Sequence, residues 1–217
     1  MVNGLILALL EIIIVFETGY IIRDYFTLIN PIIYSWLILT VFTGFLWEIA
    51  FVSNYHKVNA ISTEFIKDNT SVWKTHYTLD NILPWKFSLL FYGEYGAWAD
   101  REYMITADNW SRVIESTHAL FSGVFALLAL YHNYRNNHMA FILTLGVSMG
   151  SQLMNSILYM AEYFIQTKNK NNINYNTPEF PTGYYLLKRP FMWVNILWTV
   201  MPAYTIAAYA AYAARSL

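Results

Sequence analysis

Apolar residues dominate five long stretches of this chain, and polar residues crowd into two intervals between them. The stretches run over 4–22, 32–52, 113–131, 139–165 and 191–214. A bilayer core about 30 Å thick is crossed by roughly 17 to 25 mostly apolar residues in a helix, so each stretch is long enough to span it. Inside hydrocarbon every backbone N–H and C=O must be bonded within its own segment, which predicts helices. The expected fold class is all-α: a polytopic membrane helix bundle of five transmembrane helices. Residues 1–217 read as one membrane domain without an internal repeat. Asn30 and Pro31 open the second span, a favourable start because proline there lacks only an N–H that had no partner.

The intervals and helix ends add detail. No basic run precedes the first stretch and no small-residue cleavage site follows it, so it reads as a retained anchor. Tyr20, Tyr25, Tyr34, Trp110, Tyr131, Tyr134 and Tyr163 fall near predicted helix ends, at headgroup depth. The long polar interval 55–111 holds seven of the fourteen acids and five of the thirteen basic residues, but Trp73, Trp85, Phe91, Tyr92, Tyr95 and Trp98 make it aromatic-rich. Within it, Leu79 to Tyr92 is apolar enough to lie on the bilayer surface or to cap the bundle. The second interval, Thr167 to Arg189, is asparagine-rich with Pro178 and Pro181 and reads as a flexible connection. Arg23, Arg135 and Arg215 lie on one side of the five spans and the other ten basic residues on the opposite side. The large loop is long and acidic enough to weaken the positive-inside rule, so no orientation is assigned.

Composition narrows the function. Hydrophobic residues make up 57% of the chain, aromatic residues 18% and charged residues only 12%, with a mean hydropathy of +0.34. Soluble domains carry about 25% charged residues, so a membrane environment fits better. A formal charge of −1 provides no basic field for nucleic acid. With no cysteine, thiolate nucleophiles and Cys-ligated zinc or iron–sulfur sites are excluded. The chain has no glycine-rich nucleotide loop, nucleophile elbow or HExxH spacing, so neither a cofactor nor a metal is expected.

Polar residues within the spans are then the informative ones, since a central carboxylate costs at least ~2.5 to 3.5 kcal/mol on insertion scales. Glu11 and Glu17 lie in the first span, Glu48 in the second, Glu115 and His118 in the third, and Glu162 in the fourth. Glu17 and Glu162 are near enough to helix ends to be solvated. In the fourth span Ser148, Gln152, Asn155, Tyr159 and Glu162 follow one helical stripe, which faces either partner helices or a polar cavity. Arg112, Glu115, His118 and Ser122 repeat the pattern in the third span. At a separation of three residues, Glu115 and His118 can share a proton or act as structural donors. In the fifth span Asn195 and Trp198 precede Pro202, which frees a carbonyl one turn back near Trp198 and bends the helix.

Carboxylates and aromatic rings around an apolar cavity suit a reaction through a carbocation in a hydrophobic substrate. A buried carboxylate stabilises the cation by charge, and a tryptophan face adds ~2 kcal/mol or more when desolvated.

The stretch Tyr92–Thr117, YGEYGAWADREYMITADNWSRVIEST, resembles emopamil-binding proteins, the sterol Δ8 to Δ7 isomerases. The shared features are a WKEY-type motif at Gly93 to Tyr95, Asp100 with Arg101, Asp108 with Asn109, and the membrane glutamate Glu115. Val194–Trp198, VNILW, with Met201 and Pro202 is similar to the family's Asn-x-x-Trp and proline pattern, and Glu48 matches its second-span glutamate. The family-like region covers about residues 31–214. Two positions depart from it. Gly44 stands where the family has a histidine one turn before that glutamate, and Gly93 stands where it has a lysine.

The resemblance implies a multi-pass protein of the endoplasmic reticulum membrane with the EXPERA-type fold and a sterol-sized cavity. It assigns Glu115 and Glu48 to catalysis, with Asn195 orienting an acidic partner and Trp198 providing the ring face; His118, three residues from Glu115, is added as a catalytic candidate, and Asn155, Gln152 and Tyr159 of the fourth-span stripe as substrate contacts. Expected partners are a sterol or other polycyclic lipid, the bilayer, and hydrophobic cationic amines as inhibitors, with room for a homodimer. The alternative is a non-catalytic sterol- or lipid-binding protein of the emopamil-binding-like type, favoured by Gly44.

Overall fold

The computed structural model describes residues 1–26, 29–99, 109–168 and 193–216. Asp100, Arg101, Asp108, the connection beyond residue 168, and the side chains of Trp110 and Tyr163 lie outside the described residues. Among the described residues, five helices are long and apolar enough to cross a membrane: within Gly4–Tyr25, Pro31–Ser53, Arg112–Tyr134, His138–Glu162 and Trp193–Ala211. The chain is thus a helical, multi-pass membrane protein.

Helix α1 covers Gly4–Ile22 and is capped by the Asn3 side chain, which accepts from the Leu5 N–H at 2.9 Å. Gly4, Leu7, Glu11, Val15 and Gly19 are its buried stripe, while Leu5, Ile6, Leu9, Ile12 and Ile13 are exposed on the lipid side. Before it, Val2–Asn3 forms a two-residue antiparallel ladder with His76–Tyr77, a small exception to the all-α expectation. Helix α2 covers Pro31–Ser53, with Asn30 accepting from the Ile32 N–H at 2.9 Å. Tyr34, in the first turn of α2, is 5% exposed, and its hydroxyl donates to the Gly19 carbonyl at 2.8 Å, locking α2 to α1.

The interval expected as a long polar loop is mostly helix. Helices α3, Tyr55–Lys67, and α4, Pro84–Trp98, pack together with the Ser62 hydroxyl donating to the Gly93 carbonyl at 2.8 Å. A Cβ on Gly93 would lie 2.4 Å from Ile61, which is the packing reason for glycine there. Phe51, Val58, Tyr92, Tyr95 and Ala99 join the end of α2 to this hairpin, so the aromatic residues cap the bundle.

Helices α5, Asn109–Tyr134, and α6, His138–Lys168, are joined by a tight turn in which Asn136 takes φ 53° and Asn137 caps Ala140 at 3.2 Å. Helix α7 covers Trp193–Ser216. The main core unites Ile33, Trp36 and Leu37 of α2, Ala126 and Ala129 of α5, Phe141, Leu145 and Met149 of α6, and Tyr209 of α7. Ser148 of α6 donates to the Ser122 carbonyl at 2.8 Å, so this member of the polar stripe is interhelical glue.

Glu94, in α4 and outside the spans, is 4% exposed and accepts from the Val72 N–H at 2.8 Å, with a further bond from the Trp73 side chain. Burial pushes its carboxyl up to about 7, against the lowering effect of these bonds and of Lys74. The folded protein therefore holds this proton more tightly than the unfolded chain does. The resulting stabilisation is complete below the ordinary value of 4.5 and is lost as pH rises to about 7. Glu94→Gln should flatten that part of the pH dependence, measured by thermal unfolding in detergent between pH 4.5 and 8.

Candidate functional site

A cavity of about 290 Å³ lies where the membrane helices meet the α3–α4 cap. Helix α2 provides Thr40, Thr43, Trp47 and Glu48, and α4 reaches in with Phe91, Tyr92 and Tyr95. Helix α5 adds Glu115, His118 and Ser122, and α6 adds Gln152, Asn155, Ser156 and Tyr159. Val194, Asn195 and Trp198 come from α7, and Ile12 from α1. All eight residues expected to act in catalysis or substrate contact therefore line one cavity, and among the described residues no lysine or arginine is in its wall.

The local fold explains how Glu48 gets there. Helix α2 widens into a π turn over Thr43–Trp47, so that the Glu48 N–H bonds to the Thr43 carbonyl five residues back. At the same level α2 touches the backbone of α5: a Cβ on Gly44 would lie 2.5 Å from the Ala119 carbonyl oxygen and 3.3 Å from the Gly123 Cα. Two glycines bring the helices together there, next to Glu48 on one and Glu115 on the other.

Glu48 accepts a hydrogen bond from the Tyr92 hydroxyl, and Phe51 stacks on the Tyr92 ring at 4.6 Å. Burial first, then the nearby Glu48 carboxyl, push the Tyr92 phenol well above its ordinary value, so it remains a donor. Asn155 donates to Glu115 at 3.3 Å, and Glu48 and Glu115 are near enough for their charges to interact. Asn195 donates to the Tyr95 hydroxyl at 2.7 Å, and Tyr95 is hydrogen-bonded to Tyr159. Gln152 accepts from the Trp36 indole at 2.9 Å and donates to Thr40 at 3.4 Å.

His118 does not share a proton with Glu115: both imidazole nitrogens are buried without a hydrogen-bond partner. Arg112 leaves the stripe and stacks 3.7 Å over the Tyr55 ring. Glu17 and Glu162 are exposed, whereas Glu11 is 1% exposed with both oxygens unpartnered. A larger hollow of about 470 Å³ between the ends of α1 and α2, lined by Tyr20, Arg23, Asp24 and Tyr34, contains none of the eight. Among the described residues no group of three or more His, Asp or Glu could hold a metal ion.

Pro202 leaves the Trp198 carbonyl without its helical donor, and Ser156 of α6 supplies one at 3.0 Å. The Trp198 ring meets Trp36 edge to face at 4.7 Å. Sequence reasoning located the orphan carbonyl but missed its donor; a hydroxyl on the inward side of α6, one residue beyond Asn155, was the available signal. It also missed Tyr92 and Tyr95, whose three-residue spacing puts both on one face of α4.

Comparison with known proteins found no family model, no curated protein and no solved structure that matches the chain.

Ser156→Ala leaves a buried carbonyl unpaired and should cost about 1–3 kcal/mol, read as a lower unfolding temperature in detergent. Gly44→Ala should separate α2 from α5 and cost about 1–3 kcal/mol by the same measurement, with Gly146→Ala, which meets nothing within 4 Å, as the neutral control.

Proposed function

We propose that this protein is a sterol Δ8 to Δ7 isomerase, or a close relative acting on a polycyclic lipid, of the emopamil-binding EXPERA type in the endoplasmic reticulum membrane. The observation that carries the reading is the convergence of Glu48 and Glu115 on one cavity with Trp198 and, among the described residues, no lysine or arginine in the wall. Such a wall favours a cation and disfavours an anion.

One carboxylic acid of the pair gives its proton to the alkene, forming a C–H bond and leaving a tertiary cation on the neighbouring carbon. The other carboxylate takes a proton from an adjacent carbon, and the electrons of that C–H bond become the moved double bond. Protons in and out balance, and no cofactor is needed. The Trp198 ring would attract the cation by ~2 kcal/mol when desolvated. Tyr92 is bonded to Glu48 and Asn155 to Glu115, which would orient the two carboxyls for proton transfer.

At about 290 Å³ the cavity is at the lower edge of the usual ~300–1,000 Å³ for ligand sites. It would take the reacting rings, with the rest of the lipid extending outward. Ile12 lines the cavity and is 49% exposed, which supports entry from the bilayer past α1.

One observation favours the second reading, a non-catalytic lipid-binding protein. The Ala119 carbonyl beside Gly44 leaves no space for a side chain at that position, so α2 offers no imidazole next to Glu48. Expression in a eukaryotic strain without its own sterol Δ8 to Δ7 isomerase, followed by sterol profiling, separates the two. Conversion to Δ7 sterols is expected, and Glu115→Gln should reduce it at least about 100-fold while the protein still inserts. Persistent Δ8 sterols with the protein present in the membrane, together with saturable binding of a lipophilic tertiary amine, would establish the binding protein.

A further inference from the structure

Hydrogen bonding divides the cavity into two ends. Around the carboxyls the polar groups are engaged: Glu48 with Tyr92, Glu115 with Asn155, and Tyr95 with Asn195 and Tyr159. One and two turns further along α5, His118 and Ser122 also face the cavity. Both nitrogens of His118 and the hydroxyl oxygen of Ser122, a residue 1% exposed, are buried without a hydrogen-bond partner. The remaining buried and unpartnered polar atom among the described lining residues, the Trp47 indole nitrogen, is a donor only and sits among Phe42, Phe87 and Phe91.

Buried polar atoms are nearly always bonded, and leaving them unmade costs free energy. A neutral imidazole offers one donor and one acceptor, and a serine hydroxyl offers both. The chemical complement is a group that donates and accepts at one atom, a ligand hydroxyl. A ketone would leave the acceptors of His118 and Ser122 unused, a hydrocarbon would leave all three atoms bare, and an anion would meet the charge of the two carboxyls.

Resting on the reading of the cavity as a sterol site, we propose that His118 and Ser122 form the subsite that takes the ligand's hydroxyl. The hydroxyl lies at the Ser122 end and the ring body against Glu48 and Glu115. The three and seven residues from Glu115 to His118 and Ser122 set the subsite about 5 to 10 Å along the helix axis from the carboxyl pair. That spacing selects a rigid lipid whose hydroxyl and reacting carbon are separated by a similar distance.

The test uses one saturated skeleton that no double-bond shift can alter: 5α-cholestan-3β-ol, its 3-ketone and the parent 5α-cholestane. Direct binding of the tritiated alcohol to the full chain in nanodiscs is measured, with the other two as competitors. The alcohol should bind at least about tenfold more tightly than cholestane, with the ketone between them. Ser122→Ala and His118→Phe should each weaken the alcohol severalfold and leave cholestane unchanged, and Ser122→Thr, which keeps a hydroxyl, should retain the preference. Equal binding of alcohol and hydrocarbon, absence of alcohol binding, or a preference that survives in both Ser122→Ala and His118→Phe would overturn the proposal. An alcohol preference without any sterol conversion would leave the subsite standing and remove the isomerase; conversion without the preference would do the reverse.

Discussion

At Gly44 the backbone of α2 lies against the backbone of α5, where one methyl group would come within 2.5 Å of the Ala119 carbonyl oxygen. In lipid, hydrocarbon tails are as apolar as leucine, so helices gain from close van der Waals packing more than from hydrophobic exclusion, and small residues permit it. The contact falls inside the π turn, whose five-residue hydrogen bond ends at the Glu48 N–H. Approach and turn together bring Glu48 to the wall that Glu115 occupies from α5. Much of the remaining cavity follows from that meeting, because Gln152, Asn155 and Tyr159 on α6 line it against the same two helices.

The cap completes the cavity from outside the spans. Glu94 secures α4 to the turn at Val72, and that turn meets the start of α1, where the Gly4 N–H donates to the Thr75 carbonyl at 3.0 Å. With α4 held, Tyr92 and Tyr95 reach the carboxyl end and connect it to Tyr159 and Asn195. On the opposite wall, Pro202 weakens its own helix and Ser156 repairs the loss from a neighbour, which holds the bend beside Trp198.

Polar groups in this bundle thus serve two purposes. Those on backbone carbonyls, such as Ser148 on Ser122, Tyr34 on Gly19 and Ser156 on Trp198, fasten one helix to the next. Around the carboxyls in the cavity they hold other side chains, and at the Ser122 end His118 and the Ser122 hydroxyl have no partner among the described residues. Buried polar atoms left unpaired are rare, and packing alone gives no reason to bury an imidazole unbonded.

The spans were legible because a bilayer imposes one length and one backbone solution on any apolar stretch; α1 was read at its observed bounds of Gly4–Ile22. The residues lining the cavity were legible for a related reason: a carboxylate or amide is costly in hydrocarbon, so Glu48, Glu115, Gln152 and Asn155 stood out against their neighbours. Pro202 and its orphan carbonyl could likewise be inferred, since a missing N–H is a covalent fact. Tertiary structure alone decided the π turn, the helical cap over 55–98, the burial of Tyr34 and the donor Ser156. None of these has a local periodic signature. Each depends on which helix lies opposite, and a hydrogen bond between residues 42 apart, like Ser156 to Trp198, exists only once packing has brought them together.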